Sequence, residues 1–200
     1  LLTAARHLAQ TRHFDGTLHL IFQPAEEGLA GAKRMIEEGL FDLFPCDAVF
    51  AMHNMPGHPT GKFGFRPGAF MASSDTVIID IDGRGGHGAV PHKTVDPVVV
   101  CANVVLALQT IVSRNVAPLD MAIITVGAIH AGEAPNVIPQ TAQMRLSVRA
   151  LRPEVRDLLQ ERITALAHAQ AAVYGATARV DYQRRYPVLV NDAAMSEFAE

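Results

Sequence analysis

Between Thr76 and Tyr182 the apolar residues change their spacing in a set order, and that order limits the chain more than any other feature. Thr76 to Ile81 alternates as a strand, Pro97 to Val112 repeats at helical spacing, and Ala122 to Ile129 reads as a second strand. Thr141 to Arg149 alternates with Met144, Leu146 and Val148 turned inward, Pro153 to Val173 is a long amphipathic helix, and Ala176 to Tyr182 closes the series as a strand. The order β-α-β-β-α-β predicts a ferredoxin-like α+β unit, an antiparallel four-stranded sheet with both helices on one face. Pro153 suits a first helical turn, and Leu158, Leu159, Ile163, Leu166, Ala167 and Ala169 supply the buried stripe. Gly175 is placed to stop that helix in a left-handed cap.

The chain before this unit reads differently. Leu18 to Phe22 and Ala48 to Met52 are continuous apolar strand candidates, and Ala30 to Phe41 between them is a helix candidate with Gly39 near its end. A strand, helix, strand unit of this kind predicts part of an α/β domain with a parallel-rich sheet, in which ligands collect beyond the carboxyl ends of the strands. From Gly57 to Pro67 the chain is rich in Gly and Pro, so a domain boundary is expected near Ala72.

Composition narrows the classes of partner. A net charge of -3 with no basic cluster gives no electrostatic reason to expect nucleic acid or an anionic membrane surface. No uninterrupted apolar run reaches the roughly 18 to 20 residues of a membrane-spanning helix. Cys46 and Cys101, one beside a proline and one in a helix-like run, make no disulfide framework and suit a reducing, cytoplasmic setting. The chain starts at Leu1 in the middle of an amphipathic pattern and stops at Glu200 inside another, which predicts a piece of a longer protein.

The chemistry is expected where the two apolar runs end. The first runs into Gln23-Pro24-Ala25-Glu26-Glu27-Gly28, and His53 follows the second. Neighbouring side chains in an extended backbone point opposite ways, so Glu26 and Glu27 suit two jobs on two sides of one site, one on a cation and one on a proton. Carboxylate with imidazole suits a divalent ion such as zinc, manganese, cobalt or nickel, and such an ion acidifies a bound water. Each residue alone has a plainer reading: acids at a helix N-terminus, and a hydrogen-bonded histidine at a strand end. Their joint position at two strand ends favours the site.

Two further stretches carry candidates. Gly83-Arg84-Gly85-Gly86-His87-Gly88-Ala89-Val90-Pro91-His92 is a glycine-rich loop without the Lys and Ser/Thr of a phosphate loop, and His87 is its better exposed histidine. Asn136 lies between Pro135 and, three residues on, Pro139, which stiffens it, although it can equally cap a turn. Arg149 ends a strand, where a surface charge is the ordinary explanation. Met55 and Phe70 read as core rather than pocket.

In their order these motifs resemble the M20 metallopeptidases, in the amidohydrolase branch of hippurate hydrolases, aminoacylase-like enzymes and auxin-conjugate hydrolases. The resemblance rests on Gln23 to Gly28, Met52-His53-Asn54, Arg66-Pro67-Gly68, Gly83 to His87, Pro91-His92, Val95-Asp96-Pro97 and Asn136-Val137-Ile138-Pro139, and it spans nearly the whole chain. It implies residues 1–71 as part of a catalytic metal-binding domain, 72–187 as a lid and dimerisation domain, and 188–200 as a return segment. It implies Glu26 as general base, Glu27 and His53 as ligands of a two-ion divalent metal site, and His87 as a group acting in the partner subunit's site of a homodimer. Asn136 and Arg149 are implied to bind the substrate, a small N-acyl amino acid. The family's remaining metal ligands lie in segments without a counterpart in these 200 residues, so the isolated chain is expected to be inactive while a longer parent hydrolyses the amide. The alternatives are another activity of the family, a diaminopimelate deacylase or a dipeptidase, and a metal-free dimerisation or binding module.

Overall fold

Among the described residues of the first 62, three helices form: α1 (Leu2–Thr11), α2 (Gly31–Glu37) and α3 (Leu40–Leu43). They belong to a computed structural model that describes residues 1–27 and 31–200 and divides into two compact units, Leu1–Lys62 and Phe63–Glu200. The helix expected from Ala30 to Phe41 is therefore two short helices, and Ala30 itself, like Gly28 of the Glu-Glu motif, lies outside the described residues.

The strands expected at Leu18 to Phe22 and Ala48 to Met52 do not form here, so these residues add no parallel pairing. Both segments lack strand pairing, and every strand pair among the described residues is antiparallel. The reason is physical: a strand exists through the ladder bonds of a neighbour, and a single apolar run without one stays an unpaired extended segment. Leu20 is 41% exposed and Met52 75%, and Gly31 is the one buried residue described in this unit. Met55, expected in a core, is half exposed as well.

The second unit holds the core. Its strands are β1 (Gly68–Met71), β2 (Ser74–Asp82), β3 (Gly86–His87), β4 (Ala122–Ala131), β5 (Val137–Ile138), β6 (Thr141–Ala150), β7 (Thr177–Tyr186) and β8 (Leu189–Asn191). Its helices are α4 (Pro97–Asn115), α5 (Pro153–Val173) and α6 (Ala193–Ala199). The main sheet runs β4-β6-β2-β7, antiparallel throughout, so the β-α-β-β-α-β order closes into one four-stranded sheet. The protein is thus a mixed α/β chain with antiparallel sheets.

Alternation decides which face is covered. Val77, Ile79 and Ile81 of β2 and Ala142, Met144, Leu146, Val148 and Ala150 of β6 are buried in one cluster with Val100, Val104, Leu108 and Ile111 of α4 and Leu159, Ile163 and Ala167 of α5. Burying an Ile or Leu side chain is worth about 1.5 to 3 kcal/mol, so this face supplies most of the unit's apolar stabilisation. The stripe of α5 runs Val155, Leu159, Ile163, Ala167, Ala171, every fourth residue; Ala169, expected in it, is exposed. α4 is long and apolar enough to cross a membrane by length and composition alone, yet here it lays one side on the sheet.

Local signals set the helix ends. The Asp96 carboxylate accepts from Val98 N at 2.8 Å with Pro97 in the first turn of α4. At the end of α5, Gly175 takes φ +76° while its N–H bonds to Ala172 O and that of Ala176 bonds to Ala171 O, both 3.0 Å, which is the left-handed cap foreseen from the glycine.

One buried charge is built into this face. Asp75, 1% exposed, accepts from Arg156 Nε at 2.9 Å and also from Arg156 Nη2, from Tyr182 OH at 3.1 Å and from Arg185 N at 3.2 Å. Burial, then the neighbouring Asp75 carboxylate, pushes the Tyr182 phenol above its ordinary range. Beside it the buried Ser73 bonds twice to Ala150, by N to O at 2.8 Å and by Oγ from N at 3.1 Å. The sheet is therefore pinned at the end where β2 and β7 lead to the separate β1-β8 pair.

Candidate functional site

The six residues singled out in the sequence fall in both units: Glu26, Glu27 and His53 in the first, His87, Asn136 and Arg149 in the second. Glu26 and Glu27 sit in a turn after Pro24, both exposed, with Ala25 in the left-handed region at φ 49°. A non-glycine residue there is uncommon, and such conformations gather at functional turns.

His53 has a defined tautomer. Its Nδ1 lies 2.7 Å from Asn54 O, and a carbonyl only accepts, so Nδ1 carries the proton and Nε2 presents its lone pair. A histidine that donates one ring N–H to a backbone carbonyl is arranged as metal ligands are. In kind, then, the donors fit a divalent ion: an exposed carboxylate at Glu27 and an imidazole nitrogen at His53. In number they do not complete a centre, since among the described residues no group of three or more His, Cys, Asp or Glu is placed to share an ion.

His87 has the opposite tautomer. It lies in β3, opposite Val137 of β5, and its Nδ1 accepts the Ala89 N–H at 3.1 Å, which leaves Nε2 to carry the proton in the neutral ring. Gly88 N donates to Asn136 O at 2.8 Å, so the fold brings His87 and Asn136 together on one two-stranded arm although 49 positions separate them in sequence. The arm continues the β2-β6 ladder past Asp82 and Thr141.

Arg149 is not part of that group. It is exposed near the far end of β6, paired with Ile123 of β4, and eight residues of extended strand put it about 25 Å from Thr141. His87 and Asn136 lie beyond the Thr141 end. The rim and open face of the sheet also hold groups that no sequence signal marked. Gln143 Nε2 donates to Asp80 Oδ1 at 2.8 Å and Arg179 Nη2 to Asp80 Oδ2 at 2.7 Å; these bonds, Gln143 first, hold the Asp80 carboxyl below its ordinary range. Gln140 at the root of the arm bonds to Asp82, Gly83 and Gly85. Such partners depend on strand register, which composition and spacing do not encode.

The chain is 46% identical over 199 residues to a hippurate hydrolase of Campylobacter jejuni subsp. jejuni, covering 100% of this chain and 52% of that protein. It is 39% identical to an N-acetyldiaminopimelate deacetylase of Anoxybacillus flavithermus, covering 88% of this chain and 47% of that protein. A solved structure described as a dinuclear metal-binding peptidase of the M20 family from Bacillus subtilis superposes with a TM-score of 0.73 at 33% identity, over 98% of this chain and 49% of that one. The chain spans about half the length of the curated relatives it matches. The model of peptidase family M20/M25/M40 matches residues 1–200, and the chain belongs to that family.

Proposed function

We propose that the full-length protein hydrolyses the amide bond of small N-acyl amino acids with the help of divalent metal, in the manner of a hippurate hydrolase or aminoacylase. The match of all 200 residues to the family, with 46% identity to a hippurate hydrolase, carries this reading. Glu27 and His53 would hold the metal, a pair of ions among zinc, manganese, cobalt or nickel, together with donors from elsewhere in the full-length protein. When bound, the metal supplies Lewis-acid polarisation and acidifies water. In this reading residues 1–71 and 188–200 belong to the catalytic domain, where the apolar segments Leu18 to Phe22 and Ala48 to Met52 join a parallel-rich sheet, and 72–187 form the lid.

The chain's own residues then divide the work. Glu26 takes the proton of the attacking water and returns it to the leaving nitrogen. Negative charge grows on the amide oxygen, and the Nε2–H of His87 with the Asn136 amide donates to it; one such donor is worth about 3 kcal/mol. Arg149 pairs with the substrate's carboxylate, for which a guanidinium has the matching fork. The 25 Å scale between Arg149 and the His87 arm supports a division between two catalytic centres. His87 and Asn136 serve the partner subunit's centre, and Arg149 serves the centre of its own chain.

A homodimer through the lid follows in the same reading. β4 is a sheet edge without Pro or Lys, with Ile123 and Ile129 close to half exposed, whereas the β7 edge carries Arg179, Asp181, Arg184 and Arg185. Next to β4, α4 leaves Val98, Val99 and Leu106 exposed, the last at 70%.

The test is hydrolysis of N-benzoylglycine by the full-length protein with added metal, and its loss of roughly 100-fold or more in Glu26→Gln. A well-folded, metal-loaded protein with no activity on a panel of N-acyl amino acids would refute the reading. The 39% identity to an N-acetyldiaminopimelate deacetylase favours a second reading, a deacetylase of an acylated diamino acid, which the same panel separates by substrate preference.

A further inference from the structure

We infer that Gln140 is a positioning residue that sets where the His87 arm points, an inference that rests on the reading of His87 given above. The strand pairing slips at the root of the arm. Asp82 faces Thr141 in the β2-β6 ladder, but His87 faces Val137 in the β3-β5 ladder, whereas an unslipped ladder would set His87 opposite Asn136. The slip occurs because Arg84 leaves the ladder and exchanges both backbone bonds with Val95, each 2.9 Å.

Such a departure takes backbone groups out of the ladder beside an exposed loop, and backbone groups of this kind demand partners. The Gln140 side chain meets them. Its Nε2 donates to Gly83 O at 2.5 Å and to Asp82 Oδ1 at 2.9 Å, and its Oε1 accepts from Gly85 N at 3.1 Å, while its backbone O accepts from Gly83 N at 2.9 Å. One carboxamide therefore ties together the residue before the departure and the residue after it. A carboxamide has donor and acceptor on one planar group, which no carboxylate, amine or hydroxyl reproduces at that reach. The backbones also approach closely here: a Cβ on Gly85 would stand 2.9 Å from Ile138 O. With the root fixed on three atoms between Asp82 and Gly85, the two residues from Gly85 to His87 have little freedom, and the imidazole is presented in one place. Loss of the clamp lets the arm swing, and misplacing a reacting group by about 1 Å costs up to 100-fold in rate.

The experiment uses the full-length protein with Gln140→Ala, Gln140→Glu, His87→Ala and the double variant His87→Ala/Gln140→Ala. It measures kcat and KM on N-benzoylglycine and amide hydrogen exchange across residues 83–90. Gln140→Ala is expected to lower kcat roughly 10- to 100-fold, to move KM by no more than about twofold, and to speed exchange at residues 83–90. The double variant is expected to be no slower than His87→Ala within about twofold, because Gln140 acts through His87. Gln140→Glu keeps the acceptor for Gly85 but sets a second carboxylate beside Asp82. It is expected to lose activity too, and Asp82→Asn in that background to recover it in part. Unchanged kcat and exchange in Gln140→Ala, or a double variant whose losses multiply, would overturn the inference while leaving the role of His87 intact. Full activity in His87→Ala would refute the role of His87; exchange alone then decides whether Gln140 holds the arm, faster exchange upholding it and unchanged exchange overturning it.

Discussion

Ala89 donates its backbone N–H to Nδ1 of His87 at 3.1 Å, so the arm's histidine offers an Nε2–H, whereas His53, bonded through Nδ1 to Asn54 O, offers an Nε2 lone pair. In the proposed reading these two imidazoles take opposite tasks, His87 donating to developing charge and His53 binding a cation.

This difference predicts distinct outcomes for the two histidines. In the full-length protein, His53→Ala and Glu27→Ala are expected to lose bound metal, measured by elemental analysis, from a starting content of about two ions per subunit. His87→Ala is expected to keep its metal and lose catalysis by roughly 100-fold or more. Metal loss in His87→Ala would contradict the assignment.

The separation of Arg149 from the His87 arm predicts complementation between subunits. Glu26→Gln and His87→Ala, each inactive alone, are expected to regain up to about a quarter of wild-type activity per subunit when mixed after verified exchange, since one site of the mixed dimer has both groups intact. No recovery would place His87 in its own chain's site.

The surface for that dimer makes its own prediction. Leu106→Arg on the exposed side of α4 is expected to give a monomer by light scattering with an unfolding temperature within a few degrees of the parent, because surface substitutions away from buried features change stability by only about 0.5 kcal/mol. A dimer that survives this charge would move the interface elsewhere.

The buried Asp75 network governs stability rather than chemistry. Asp75→Ala leaves Arg156 and Tyr182 without their partner and is expected to cost about 3 to 5 kcal/mol in denaturant unfolding. Tyr182 titrates higher in the folded protein than in the unfolded chain. Its contribution is therefore complete below the unfolded value near pH 10 and declines as the pH rises beyond it. Tyr182→Phe should flatten the alkaline part of the stability profile.

The two thiols should separate cleanly in the native protein. Burial, with the Asp96 carboxylate a smaller cause, pushes the Cys101 thiol up to about 11, while Cys46 is exposed. A thiol reagent at pH 8 is expected to label Cys46 at once and Cys101 only on unfolding, as mass spectrometry of the labelled peptides would show.

The sequence by itself determined what is local. Period-two alternation placed Val77, Ile79 and Ile81 on the inner face, helical spacing put Leu159, Ile163 and Ala167 of α5 on the sheet, and Pro153 with Gly175 marked the ends of that helix, because such signals act within a few residues. The order of the motifs likewise led to the family. The tertiary structure alone decided what depends on distant pairing. Leu18 to Phe22 has strand composition but no ladder partner here. The slip that sets His87 against Val137, the Gln140 clamp and the distance between Arg149 and the arm all arise from register. Register is fixed by the sum of weak cross-strand contacts and buried faces over whole strands, a sum that no short stretch of sequence carries.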